Sequence, residues 1–284
     1  MESDFRIAVI GLGIIGGSVA YAAKGFKGGV VVGYDRNPEV RKTAADSGIF
    51  AEICENAGDA IDGADLIVLA TYPEGIVKTV ADNRERFKKG AIITDVCGVK
   101  TGISAKMAEI IPDGVDYVGG HPMAGKEVDG FINASADMFE GCGFIITPSE
   151  SSSEKSVKLV REMAEYMGAK RIAVATPELH DSTIAYTSDL MHIAASALCL
   201  NFHENMSLAY TAGAFRDCTR IALINPELWT ELFMANATHT VEEIDKFINS
   251  LQALRDSIAE GNEERLCSLL ATVRKNKIEM QSRE

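Results

Sequence analysis

The pattern of apolar and polar positions divides the chain into two unlike parts. In the first, short unbroken apolar runs recur: "RIAVIG" (6–11), "GVVVGYD" (29–35), "DLIVLAT" (65–71), "GAIITDV" (90–96), "DYVGG" (116–120), "GFIITP" (143–148) and "RIAVAT" (171–176). Unbroken runs, unlike alternating ones, predict strands covered on both faces. Stretches with helical spacing, such as 15–24 and 38–47, lie between them. The order β-α-β-α predicts a Rossmann-type, doubly wound parallel sheet. The polar "PSESSSEKS" (148–156) resembles a linker, but a Ser followed three residues on by Glu and then "VKLVREMAEYMG" predicts a helix start inside the same domain.

The predicted boundary is "TPELHD" (176–181), which makes residues 1–176 a dinucleotide-binding domain and 177–284 a second one. No strand pattern returns after it. Residues 182–203, 207–222, 226–258 and 262–282 read as helices of an all-α domain. Its Ala-rich faces permit close helix packing and predict a homodimer through this part.

Composition narrows the class. The 284 residues are 46% hydrophobic and 24% charged, as in ordinary globular proteins. A net charge of −13 argues against nucleic acid or an anionic membrane as partner, and any anionic substrate would need locally placed Arg or Lys. The six cysteines form no C-x-x-C pair and no zinc-type spacing, so neither a metal site nor a disulfide framework is predicted. The N-terminal "MESDFRIAVIG" has no basic n-region, and no apolar run reaches membrane-spanning length. These features predict a cytoplasmic protein.

"VIGLGIIGGSVA" (9–20) carries G-x-G-x-x-G at Gly11, Gly13 and Gly16, directly after a predicted strand and opening a predicted helix. That spacing permits a tight turn, a close backbone approach to a pyrophosphate and helix–strand packing. Ile14 and Ile15 complete the loop. Asp35 ends the second run about 20 residues beyond Gly16, where a carboxylate meets the ribose hydroxyls. Its charge would repel a 2′-phosphate, so NAD is the expected cofactor, although the basic Arg36 beside it is the kind of residue that accommodates NADP. Thr71 and Cys97 end later strands on the same edge and are expected to line the nicotinamide side.

"YVGGHPMAG" (117–125) places His121 at the end of another predicted strand, where open parallel sheets bind ligands. The Gly119–Gly120 pair would let a ligand come close, and Pro122 fixes the exit of the chain. A lone loop histidine commonly bonds only its own carbonyls, but beside a nicotinamide pocket a functional role is expected.

The chain resembles the prephenate/arogenate dehydrogenase family of tyrosine biosynthesis over nearly its whole length. The resemblance rests on "GLGIIGGSVA" (11–20), "GYDRNP" (33–38), "TDVCGVK" (94–100), "GGHPMAGKEVDGF" (119–131), "LHDSTIAYTSDLMHIAASAL" (179–198), "AFRDCTRIA" (214–222) and "NPELWTELFMAN" (225–236). It implies an NAD-dependent oxidative decarboxylation in which hydride leaves the hydroxyl-bearing ring carbon, carbon dioxide leaves the opposite one, and the ring becomes aromatic. It implies that His121 takes the hydroxyl proton and that Arg220 holds a substrate carboxylate, with Arg216, Asp217 and His192 around the same pocket. His180 and Asp181 are expected only to cap the first helix of the second domain, and Trp229 to be a core or dimer contact.

Three positions depart from the family pattern. Gly98 stands where a serine is usual, so His121 would rely on water or Cys97. Asp189 and Met191 replace histidine and proline in "SDLMH", and Lys126 replaces a small residue. Lys126 would attract a pyruvyl carboxylate of prephenate, whereas Asp189 would attract the ammonium of arogenate, so substrate choice stays open with prephenate favoured. Other nicotinamide enzymes of similar layout, such as β-hydroxyacid dehydrogenases or imine reductases, use a helical-domain lysine that "SDLMHIAASAL" lacks. A dinucleotide-binding regulator without catalysis is the remaining alternative, and it would leave His121 and Arg220 idle.

Overall fold

The computed structural model describes residues 5–126, 128–150, 152–203, 205 and 207–282. Its first part runs β1 (Arg6–Ile10), α1 (Ile14–Ala22), β2 (Val30–Tyr34), α2 (Pro38–Asp46), β3 (Glu52–Ile53), α3 (Ala57–Ile61), β4 (Leu66–Leu69), α4 (Pro73–Asp82), β5 (Ile92–Asp95), α5 (Thr101–Ile110), β6 (Asp116–Met123), β7 (Gly143–Pro148), α6 (Glu154–Tyr166) and β8 (Arg171–Val174). The strands form one sheet in the order β3-β2-β1-β4-β5-β6-β7-β8. The seven predicted runs are all strands, and the short β3 joins them.

The predicted all-parallel sheet needs correction at one end. β7 pairs antiparallel with β6, and β8 lies parallel to β7, so these two strands run against the rest. Among its described residues the β6–β7 connection contains a short 3₁₀ turn, Phe131–Asn133, and no crossover helix, so the chain returns along β6 in the opposite direction. Both sheet faces are covered, as the unbroken runs require. Ile7 and Val9 of β1 join a core with Val19, Ala20, Val160 and Met163, whereas Ala8 and Ile10 pack with Ile61, Ile76, Val80 and Ile103. Alternate β1 side chains thus enter opposite layers.

The polar stretch before α6 is a loop. Ser153 caps the helix by accepting from the Ser156 amide, while Ser151 of the predicted capping pattern lies outside the described residues. The helical part begins earlier than its pattern suggested, with α7 (Pro177–Ile184), capped by Thr176. A π-helical turn, Ala185–Asp189, leads into α8 (Leu190–Leu200). α9 (Gly213–Thr219), α10 (Pro226–Ala235), α11 (Ala237–Ala259) and α12 (Glu263–Gln281) follow. The predicted helix 226–258 is therefore two helices, broken at Asn236, whose buried side chain bonds to α7 instead of continuing the turn.

The chain forms two compact units, residues 1–236 and 237–284. α7–α10 thus belong to the same unit as the sheet, because buried polar bonds from Asp181 tie α7 to the start of α5. In the second unit α11 and α12 pack together about the turn at Gly261, which has φ +64°. No described helix is long and apolar enough to cross a membrane.

Candidate active site

The carboxyl edge of the sheet holds two groups of residues. At β1, Gly11 adopts φ +90°, and a side chain there would meet the Ala70 carbonyl and Thr71. A methyl on Gly16 would lie 1.9 Å from the Gly11 carbonyl oxygen, so the loop and α1 close up only with glycine at both positions. A methyl on Gly13 would meet nothing within 4 Å. An open space therefore faces the α1 N-terminus, where no side chain caps the helix and no acid stands in the first turn. A pyrophosphate fits that cradle. Asp35 directly follows β2, with one carboxylate oxygen accepting from the Leu12 amide at 2.8 Å and the other from the Asn37 amide at 2.8 Å, which joins this acid to the glycine loop. Ile14 and Ile15 open α1, half-buried, and Thr71 packs beside Gly11. Arg36 is exposed, and its carbonyl accepts from Arg41.

The second group surrounds His121. β5 pairs with β6 only as far as Gly119, so the last residues of β6 extend beyond it, held by β7. The turn 96–100 fills the space past β5. The Gly119–Gly120 pair permits this packing. A methyl on Gly119 would lie 2.3 Å from Thr147 Oγ1 and 3.0 Å from Lys100 Cδ, and one on Gly120 would lie 2.8 Å from the Asp95 carbonyl oxygen.

His121 Nδ1 lies 2.9 Å from His180 Nε2, and His180 Nδ1 lies 2.7 Å from Asp181 Oδ1. His180 and Asp181 are buried, which corrects their expected role as helix caps. Asp181 instead accepts from the backbone amides of Lys100 (2.9 Å) and Thr101 (2.8 Å), a carboxylate at the N-terminus of α5. Burial works to raise its pKa, but the bonds from His180 and Thr101 outweigh burial and hold the carboxyl below its usual range.

An ionised Asp181 only accepts, so His180 carries its proton on Nδ1 and accepts at Nε2. His121 must then donate from Nδ1, which leaves Nε2 as a lone pair. Burial, then the Lys100 charge and His180, push the His121 pKa well below 6.5, so the ring is neutral at neutral pH. Burial also lowers the His180 pKa, against the bond from Asp181. The arrangement is a base with a defined tautomer, its acceptor nitrogen on the Gly98 side.

A methyl on Gly98 would lie 3.9 Å from His121 Nε2, in ordinary contact. Cys97, the suggested substitute for the missing serine, is a buried thiol whose pKa is pushed up by burial to about 11. Its amide donates to Asp95 and its carbonyl accepts from Lys100. Lys126 is exposed and reaches Ser135 Oγ at 3.5 Å. Asp189 is 3% exposed and accepts from Asn236 at 2.9 Å.

His192 donates from Nδ1 to the Ser188 carbonyl at 3.0 Å and stacks on Trp229, with ring centroids 3.8 Å apart. Trp229 is thus a partner of a predicted site residue and not core alone. Arg216 and Asp217 on α9, and Arg220 just after it, are exposed on a segment that packs against α8, the helix of His192. Sequence reading missed Lys100, Asp95, Tyr117 and the role of the His180–Asp181 pair. Adjacent His and Asp at a helix start looked like capping chemistry, and the apolar runs around Asp95 and Tyr117 drew attention to packing. Among the described residues, no group of three or more His, Cys, Asp or Glu is arranged to hold a metal ion.

Comparisons with known proteins agree with this layout. A family model described as "Prephenate dehydrogenase, nucleotide-binding domain" matches residues 20–173, and one described as "Prephenate dehydrogenase, dimerization domain" matches 176–272. Cyclohexadienyl dehydrogenase of Zymomonas mobilis is 32% identical over 261 residues, 89% of this chain and 88% of the relative. The crystal structure of prephenate dehydrogenase from Aquifex aeolicus with hydroxyphenyl propionate and NAD+ superposes with TM-score 0.87 at 30% identity, covering 97% of this chain and 98% of that one. Arogenate dehydrogenase of Synechocystis superposes with TM-score 0.80 at 25% identity, covering 97% and 100%. With the glycine cradle and the oriented histidine on one sheet edge, these matches lead to one statement: the chain belongs to the prephenate dehydrogenase family of oxidoreductases.

Proposed function

We propose that the protein oxidatively decarboxylates prephenate to 4-hydroxyphenylpyruvate, with His121 as the proton acceptor. The cofactor is NAD, which when bound supplies the hydride acceptor. The observation that carries the mechanism is the chain from Asp181 through His180 to His121, because it leaves His121 Nε2 unprotonated and oriented. His121 Nε2 accepts the ring hydroxyl proton as hydride departs, and the resulting positive charge is shared along the chain toward Asp181. Decarboxylation and aromatisation make the step downhill, so the residues chiefly orient the substrate and remove one proton.

Arg220, with Arg216, Asp217 and His192, is proposed to bind the substrate, and Lys126 to attract its side-chain carboxylate. A guanidinium fork suits a carboxylate. Asp35 is proposed to bind the ribose hydroxyls. Prephenate is favoured over arogenate because Asp189, the residue that pointed to an ammonium, is buried against Asn236. Residues 1–176 act in this reading as the dinucleotide-binding domain and 177–284 as the helical substrate and dimerisation domain of a cytoplasmic homodimer. Val241, Ile248, Leu251, Ile258, Leu270 and Val273 are exposed apolar residues of α11 and α12 that a second copy would cover. The test is NADH formation with each substrate. A kcat/KM for prephenate above that for arogenate is expected, and the reverse order would overturn the assignment.

A further inference from the structure

Lys100 has no exposed side-chain surface. Its ammonium donates to Asp95 Oδ1 at 2.8 Å, to the Cys97 carbonyl at 2.5 Å and to the Val99 carbonyl at 3.2 Å. Three donors thus meet three acceptors, the condition for burying such a group. The two carbonyls flank Gly98, where an added methyl would lie 3.9 Å from the acceptor nitrogen of His121. Asp95 is itself held, through Oδ2, by the Tyr117 hydroxyl at 2.6 Å. The Lys100 backbone amide donates to Asp181, the far end of the histidine chain. One residue therefore grips both sides of His121: the turn facing Nε2 and the carboxylate behind Nδ1.

We propose that Lys100 is a positioning residue for the reaction, its ammonium fixing the Cys97–Val99 turn opposite His121 Nε2 and presenting a buried positive charge to that ring. The proposal rests on the reading of His121 as the base. A fixed cation beside an imidazole disfavours a second one, so the ring stays able to accept a proton in mildly acidic solution. The other groups around the ring do not supply this. From α7, His180 accepts at its Nε2 from His121 Nδ1, and Asp181 stands behind it. From β5, Asp95 faces the ammonium, and from β6 the Tyr117 hydroxyl donates to Asp95. Cys97 of the turn is a protonated thiol, and α10 presents the apolar Leu232 near Gly98.

The test reads His121 directly, by NMR titration of the five histidine Cε1–H signals in the full-length protein, with His121→Asn for assignment. In Lys100→Met the His121 titration should move up by about 1 pH unit, the scale of a nearby charge. The acid limb of kcat/KM for prephenate should move up with it, while the KM for NAD stays as in the parent. Removing one partner of a buried pair threatens the fold, so Lys100→Met with Asp95→Asn, which removes both charges, is titrated as well. A folded variant in which His121 titrates as in the parent overturns the proposal. Loss of the fold in both variants assigns Lys100 to folding alone and overturns it too. The NMR arm needs no substrate, so failure of the parent to turn over prephenate would sink the functional reading and leave this result interpretable.

Discussion

Along β1, α1 and β2 the cofactor cradle is assembled from near neighbours: Asp35 bonds Leu12 across 23 positions, and Gly11 and Gly16 touch within one turn. The histidine group proposed to accept the proton is assembled from afar. His121 meets His180 across 59 positions, and Lys100 meets Asp181 across 81. The first arrangement is set by backbone sterics, where one added methyl collides with a carbonyl. The second is set by hydrogen-bond direction and charge in a buried space, where each member defines the state of the next. The two regions should therefore fail differently when altered.

The largest expected effect is at His121. His121→Asn keeps polarity but removes the base, so kcat should fall by about 10²–10⁴-fold while NAD binding is retained. Near-parent kcat would show that the histidine is structural. Asp181→Asn attacks the same group from its far end. It removes the charge and replaces one of the two acceptor oxygens by a donor, so the three groups that now donate to Asp181 compete for one oxygen and the His180 proton is no longer held on Nδ1; kcat should fall by about 10-fold or more, the low end of general-base effects, with NAD binding again retained.

The cradle should give the opposite pattern. In Gly16→Ala the new methyl must push the Gly11 carbonyl aside, and overpacking of this kind costs about 1–3 kcal/mol. Read by calorimetry, NAD affinity should weaken by roughly 10- to 100-fold, with the His121 titration unchanged. Should Gly16→Ala shift that titration as well, the two regions are not independent.

Arg220→Ala sharpens the comparison on the substrate side. A charged hydrogen bond to a carboxylate contributes about 1.5–3 kcal/mol, so the prephenate KM should rise by roughly 10- to 100-fold and the NAD KM should hold. If both constants stay put while thermal stability drops, Arg220 serves the helices alone. A smaller effect is on stability. His121 and His180 both have pKa values lowered by burial, so the unfolded chain binds protons that the folded chain refuses once pH falls below about 6.5. The melting temperature should drop as pH goes from 7 toward 5, and less so in His121→Asn.

How much of this could be read beforehand follows the same division. Gly11, Gly13, Gly16 and Asp35 were legible because a strand, a turn and a helix within one short stretch leave few arrangements open. The strands were legible because unbroken apolar runs match burial on both faces. The reversal of β7 was not, since an apolar run carries no sign of its direction. The place of His121 at a strand end was legible, but its partners were not. "LHD" reads locally as a helix start, and only the packing of α7 against α5 turns His180 inward and sets Asp181 on the α5 amides. Lys100 was passed over because a lysine in sequence looks solvated, and its burial depends on Asp95 and two carbonyls that the turn folds back toward it.

The central claim is that His121 is a neutral base oriented by His180 and Asp181. It is tested most directly by the pH dependence of kcat/KM for prephenate with NAD, measured side by side in the parent and in His121→Asn. Because the folded ring has its pKa lowered, the parent should keep its activity below pH 6.5 and lose it through a single ionisation at lower pH. That acid limb should be absent from the residual activity of the variant. An acid limb at or above 6.5 in the parent, or the same limb persisting in His121→Asn, would contradict the account.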